Sequence, residues 1–233
     1  MADLTQSIRQ ELMDHGADLV GFGDLTALPV EARENLPIGI CVAVKYPREI
    51  IRGIGDAPTR EYYDHYNSLN ETLDALVTFG AETLQARGYR ATAQTRAFVQ
   101  QFETEQDTRL PHKTVATRAG LGWIGKSALF VTREYGSMIR LSTILTDAPL
   151  AVGQPIDTSL CGACTACTEA CPAGAVSGKP WSVGMAREDF FDAAACRRVA
   201  RERSLRSFGV EITICGKCIE VCPWTRRYLN GAC

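Results

Sequence analysis

Cys161-Gly162-Ala163-Cys164-Thr165-Ala166-Cys167-Thr168-Glu169-Ala170-Cys171-Pro172 is the stretch that decides how this chain reads. Its spacing, C-x2-C-x2-C-x3-C-P, wraps three thiolates around one iron-sulfur cubane and sends the fourth to a neighbouring cubane. Two clusters are therefore implied. A second run, Cys215, Cys218, Cys222 and Pro223, reads C-x2-C-x3-C-P and is one thiolate short. Cys196, isolated between the runs, is the candidate for the missing ligand. Crossing the fourth ligands assigns Cys161, Cys164, Cys167 and Cys222 to one 4Fe-4S cluster. Cys171, Cys196, Cys215 and Cys218 go to the other.

Zinc and disulfides explain these cysteines less well. Structural zinc prefers separated C-x2-C pairs around one ion, and disulfide frameworks belong to short secreted chains. Of the ten cysteines, Cys41 and Cys233 remain. Cys41 lies in the apolar run Ile38-Gly39-Ile40-Cys41-Val42-Ala43-Val44 and reads as a buried strand thiol, while Cys233 is the last residue.

The remaining composition describes an ordinary globule. At 233 residues, 45% hydrophobic and 22% charged, the chain can bury a real core in one large or two small domains. A formal net charge of -2 without a long basic run argues against nucleic acid as a partner. The N-terminal MADLTQSIRQELMDHG has no apolar signal core, and no segment approaches a membrane span. The expected setting is the reducing cytoplasm, away from membranes.

Leu4, Ile8, Leu12 and Met13 recur at helical spacing up to Gly16, and residues 17–23 and 38–45 read as strands. Tyr62, Tyr66, Leu69, Leu73 and Leu76 mark one face of a long helix from Thr59 to about Arg87, stopped by Gly88. The pattern predicts strands at 91–99, 128–132 and 138–146, a helix at 113–118, and a turn at Tyr135-Gly136-Ser137. The first 150 residues are thus mixed α/β. After Pro149 the composition turns to Gly, Thr, Pro and Cys, which places a boundary near 153–157.

Gly120-Leu121-Gly122-Trp123-Ile124-Gly125-Lys126-Ser127 matches two phosphate-binding patterns, G-x-x-x-x-G-K-S and G-x-G-x-x-G. Both need a strand before the loop and a helix after it, so that the phosphate rests on the helix N-terminus. Here the flanks read helix, then strand. Neither nucleotide reading is adopted.

The stretch from Leu110 to Leu150, together with CGACTACTEACPAGAV, the lone Cys196 and CGKCIEVCPW, resembles the epoxyqueuosine reductase group, and specifically its short double-cluster relatives. Reductive dehalogenases are similar in plan. The resemblance implies a nitroreductase-like α/β core over residues 1–155 that holds a cobalamin. A ferredoxin-like double 4Fe-4S module follows over 156–233. It also implies that Gly120, Gly122, Trp123, Gly125 and Lys126, with Gly136 and Ser137, lie near the corrinoid. The alternative is that Gly120 and Gly122 make a tight turn and Trp123 is core. No D-x-H-x-x-G motif occurs among the three histidines, so a base-off corrinoid without a protein ligand fits better.

The chain also departs from the pattern. The full-length tRNA enzymes carry a proton-donating aspartate before a Pro-x-x-Glu segment, whereas here Glu105-Gln106-Asp107-Thr108-Arg109-Leu110-Pro111-His112 stands in its place. Gln106 falls nearest the aspartate position and His112 replaces the glutamate. The helical-repeat extension that accompanies tRNA binding is missing as well. Epoxyqueuosine reduction itself is therefore not expected.

Two readings remain. One is a corrinoid-dependent reductase or corrinoid-reducing protein, with His112 and Asp107 as the candidate acids and Tyr62, Tyr63 and Tyr66 as further donors. The other is a ferredoxin-type electron-transfer or corrinoid-handling protein that serves a separate partner. The expected partners are a low-potential electron donor and, where a corrinoid is used, a corrinoid or corrinoid protein.

Overall fold

The computed structural model describes residues 2–102 and 108–231. In chain order the elements begin α1 (Ala2–Asp14), β1 (Leu19–Asp24), β2 (Ile38–Lys45), α2 (Arg48–Arg52), α3 (Arg60–Ala86), β3 (Ala91–Ala93) and α4 (Arg96–Gln100). They continue α5 (His112–Arg118), β4 (Trp123–Ile124), β5 (Phe130–Val131), β6 (Ile139–Thr146), α6 (Ala166–Glu169), α7 (Ala193–Phe208), α8 (Lys217–Glu220) and α9 (Pro223–Leu229).

Two compact units share the chain. The first comprises Met1–Val44, Leu69–Leu121 and Arg140–Ile156, and the second Lys45–Ser68, Gly122–Ile139 and Asp157–Cys233. A boundary near residue 155 adjoins the last of these crossings. Two earlier segments also join the cysteine-bearing residues of the second unit.

The first unit is built on a sheet of order β1-β2-β6-β3. β1 and β2 run antiparallel, with Phe22 opposite Ile40 and Gly21 opposite Cys41. Because strand side chains alternate between faces, Val20 and Phe22 of β1 join Ile40, Val42 and Val44 of β2 on one side. There they pack with Ile8 and Leu12 of α1 and Leu76, Val77 and Leu84 of α3. Each such burial stabilises by about 1.5–3 kcal/mol. The other face carries small residues. A methyl at Gly23 would stand 2.9 Å from the backbone of Arg118 and Ala119, and one at Gly39 would stand 2.6 Å from Val115 Cγ1. The missing side chains thus let α5 lie directly on the sheet. Cys41 is the buried strand thiol expected, and burial pushes it up to about 12.

The second unit holds the β4–β5 hairpin, where Trp123 pairs with Val131 and Ile124 with Phe130. Ile124 and Ala128 form a small core with Trp181 and Phe190. Trp123 is fully buried and meets the ring of Trp224 edge-on, centroids 5.2 Å apart. The described helices of this unit that carry cysteines are short apart from α7. No helix among the described residues is long and apolar enough to cross a membrane.

The long helix, the strand at 38–45 and the helix near 113–118 agree with the sequence pattern. The strand expected over 91–99 stops at Ala93, because Thr95 caps α4, its side chain accepting from Phe98 N. Nor does a strand begin at 128. Ala128 takes a left-handed backbone, φ +60°, inside the hairpin turn, and its N–H donates to Gly125 O at 2.9 Å. That turn keeps β5 to Phe130–Val131. α5 precedes the glycine loop and the hairpin follows it; among the described residues the next helix is α6. Among the described residues no helix directly follows the loop, as both phosphate-binding patterns require.

Candidate metal centre

The eight cysteines of the two runs and α7 all belong to the second unit. Cys161 and Cys164 lie in the loop before α6, Cys167 within it and Cys171 just after it. Cys196 sits in the first turn of α7, whose N-cap Asp192 accepts from Ala195 N at 2.9 Å. Cys215 precedes α8, Cys218 lies within it, and Cys222 is the N-cap of α9 with Pro223 at its first position. A proline there costs no helical hydrogen bond and fixes how the chain leaves the cysteine.

The thiols gather in two groups. Burial raises Cys167 to about 11, and Cys161, Cys164 and Cys222 add to the shift. Burial likewise raises Cys196 to about 11, with contributions from Cys171, Cys215 and Asp192. Cys218 is raised too, by burial and then by Cys171, Cys167, Cys196 and Cys215. Cys222 feels burial first and Cys161 among its neighbours, against the lowering N–H groups of Thr225 and Trp224. Thiolates this close repel one another in a poorly solvated site, so a cationic core is needed to hold them ionised. No three His, Cys, Asp or Glu side chains among the described residues close tightly enough for a single metal ion. Soft thiolates spread around a wider space suit a multi-iron core.

A cavity of about 400 Å³ opens beside the first group, lined by Cys161, Cys164, Cys167, Cys222 and Cys218. Val131, Leu160, Pro223 and Trp224 supply its apolar wall. Gly125, Lys126, Ser127 and Arg227 complete the lining. A methyl at Gly125 would lie 3.0 Å from Val131 Cγ2 and 3.5 Å from Cys161 Sγ. Lys126 is only 6% exposed, and its Nζ donates to Cys164 O at 2.9 Å.

The other glycines of the predicted corrinoid set meet protein. Gly120 has φ +72°, and a side chain there would run into Gln154 O; at Gly122 it would run into Val131 O. Gly136, at φ +59°, abuts the backbone N of Thr225. Ser137 is buried beside it, its N–H donating to Thr225 Oγ1 at 3.1 Å. Close backbone approach within the fold thus accounts for these three glycines, and Trp123 is core.

His112 belongs to the first unit, at the start of α5, where its Nδ1 lies 2.9 Å from Thr143 Oγ1. Burial, and then the charge of Arg140 against a weaker opposing effect of Asp74, lower it to about 4. Its imidazole is neutral at pH 7, so it holds no acidic imidazolium proton to donate. Asp107 lies outside the described residues. Tyr62 is buried with its ring 5.3 Å from that of Tyr46, and Tyr63 stacks on Phe208; Tyr66 is half-buried. Sequence reasoning did not foresee Thr225 or the polar set around His112, in which Arg140 donates twice to Asn70 Oδ1. Only the signature of a lone buried Thr or Asn could have signalled them, and that is no signal in one sequence.

Residues 160–225 match the 4Fe-4S double cluster binding domain. This chain carries a 4Fe-4S double cluster binding domain. It is 37% identical over 114 residues to the epoxyqueuosine reductase of Escherichia coli (strain K12), a match covering 49% of this chain and 30% of that one. The chain therefore spans about a third of the curated relatives it matches. In fold it resembles the epoxyqueuosine reductase of Streptococcus thermophilus, with a TM-score of 0.60 at 21% identity over 96% of this chain and 66% of that one. It also resembles a reductive dehalogenase whose structure suggests a mechanism for B12-dependent dehalogenation. That TM-score is 0.70 at 18% identity, covering 99% of this chain and 33% of the other.

Proposed function

We propose that this chain carries electrons through two 4Fe-4S clusters to a base-off cobalamin, acting as a corrinoid-dependent reductase or corrinoid-reducing protein. One cluster is assigned to Cys161, Cys164, Cys167 and Cys222, the other to Cys171, Cys196, Cys215 and Cys218. The observation that carries the assignment is the crossed proximity of the thiols. Cys222, from the second run, acts on Cys167 of the first, while Cys171, from the first, acts on Cys196 and Cys218.

When bound, the clusters supply single-electron transfer and the cobalamin a reducible metal centre. The chain's own part is to hold and shield them. Val131, Leu160, Pro223 and Trp224 give the half-buried thiols of the first group an apolar wall, which strengthens charge interactions on that side. The likeness of fold to a B12-dependent dehalogenase supports the corrinoid, as do Gly125 and Lys126 at the rim of an open cavity. A nitroreductase-like core belongs to the same reading. So do a low-potential electron donor, a cytoplasmic setting, and the absence of nucleic acid and membrane partners.

The second reading, a ferredoxin-type protein that hands electrons to a separate partner, is favoured by one observation: the candidate acid His112 is tied to Thr143, its Nδ1 2.9 Å from Thr143 Oγ1, in the first unit, whereas the cysteines belong to the second. Anaerobic titration of the reconstituted chain with cobalamin, followed by optical and EPR spectra, decides between the two. Stoichiometric binding with a base-off spectrum supports the corrinoid reading. An unchanged cobalamin spectrum at saturating protein leaves the electron-transfer protein.

A further inference from the structure

Lys126 is the residue that the phosphate-loop pattern singled out and that the fold turns to another use. Its ammonium is buried, and among the described residues it forms no ion pair with a carboxylate; it donates to the carbonyl of Cys164. A buried cation held by one neutral acceptor is poorly compensated, because burial strips its water and a carbonyl restores only part of that solvation. Yet the side chain does not turn outward to solvent, as lysines usually do. It borders the cavity that holds Cys161, Cys164, Cys167 and Cys222. An iron-sulfur core bound by four thiolates is an anion, and each electron it accepts adds negative charge.

We propose that Lys126 is the internal counter-ion of the cluster bound by Cys161, Cys164, Cys167 and Cys222, and that its fixed charge makes this cluster easier to reduce. The proposal rests on the ligand assignment above. The charge acts over a short distance through a site walled by Val131 and Trp224, where screening by water and salt is weak. The effect is strongest on this cluster, since Lys126 Nζ donates to the carbonyl of its ligand Cys164, while Cys218 of the other group shares the cavity. Net charge and hydrogen bonding around the sulfurs are established levers on cluster potential. Electron transfer from the other cluster to this one is then more favourable than it would be without the charge.

The test is an anaerobic redox titration, monitored by EPR, of the reconstituted full chain and of Lys126→Gln and Lys126→Arg. Glutamine keeps a donor for the Cys164 carbonyl and removes the charge; arginine keeps the charge. Repeating each in a Cys196→Ala background removes the other cluster's reduced 4Fe-4S signal, whether that cluster is lost or converted, so that the first cluster is read separately. Lys126→Gln should disfavour reduction of that cluster at least tenfold, 59 mV for a one-electron couple, and Lys126→Arg should stay within about threefold of wild type. Equal potentials in all three proteins overturn the proposal. If Lys126→Gln fails to assemble the cluster, retention in Lys126→Arg supports the counter-ion role, and loss in both overturns it by showing that shape, not charge, matters. A wild-type chain that assembles no pair of clusters instead overturns the ligand assignment, a separate failure.

Discussion

Cys222 lies within electrostatic reach of Cys167, although the two belong to different cysteine runs. That single proximity turns two separate motifs into one interlocked module. α9 begins at Cys222 and packs against α8, which in turn packs against α6. A change to one cysteine therefore strains elements that carry the others.

Cysteine replacement should separate the clusters. Wild type should carry about eight iron atoms per chain, and Cys196→Ala should lose or convert one cluster and leave the other's EPR signal in place. Cys41→Ala, in the sheet of the first unit, should retain all of the iron. Iron and sulfide analysis reads the result, and wild-type iron near four would sink the paired assignment.

Loading should be coupled to protons. Cys167 and Cys196 are each raised to about 11 in the fold, against 9.0 for an ordinary thiol. A raised thiol favours the folded chain below pH 9, and that contribution fades as pH rises through 11. The apo-protein should therefore lose stability as pH climbs above 9, whereas the loaded protein, whose thiols are already deprotonated, should not. Iron loading should also release protons and slow as pH falls. Denaturation of both forms across pH 7 to 11 checks the first point; no difference between them would contradict it.

His112 predicts the opposite slope. Its folded value of about 4 lies below the ordinary 6.5, so the unfolded chain binds the proton more readily. Stability from this residue is full above pH 6.5 and drains as pH falls towards 4, by at most about 3 kcal/mol. His112→Gln should flatten the acid limb of a stability-against-pH curve. A curve that keeps its slope in the variant would rule out His112 as the source.

Gly122→Ala should destabilise the hairpin with or without cobalamin. The added methyl meets Val131 O, a backbone atom that cannot move aside cheaply, and overpacking of this kind costs about 1–3 kcal/mol. Chemical denaturation reads the loss. A variant as stable as wild type, with cobalamin binding alone impaired, would return Gly122 to corrinoid contact.

Spacing along the chain was enough for the cubane chemistry, because much of the ligation is local: Cys161, Cys164 and Cys167 of the first group lie within one short loop and its adjoining turn, as do Cys215 and Cys218 of the second. The two-residue alternation of Val20 and Phe22 against Gly21 and Gly23, and the helical repeat of Leu69, Leu73 and Leu76, were legible for the same reason. Short-range signals misled where a neighbour overrode them. Thr95 capped a helix inside an apolar run, and Ala128 entered a left-handed turn that no propensity favours. What only the tertiary structure decided is long-range: that Lys126 turns to the Cys164 carbonyl, that Gly136 abuts Thr225, and that residues 45–68 and 122–139 join the cysteine-bearing unit. Such contacts depend on which surfaces meet when distant segments close on one another, and a linear pattern carries no record of that.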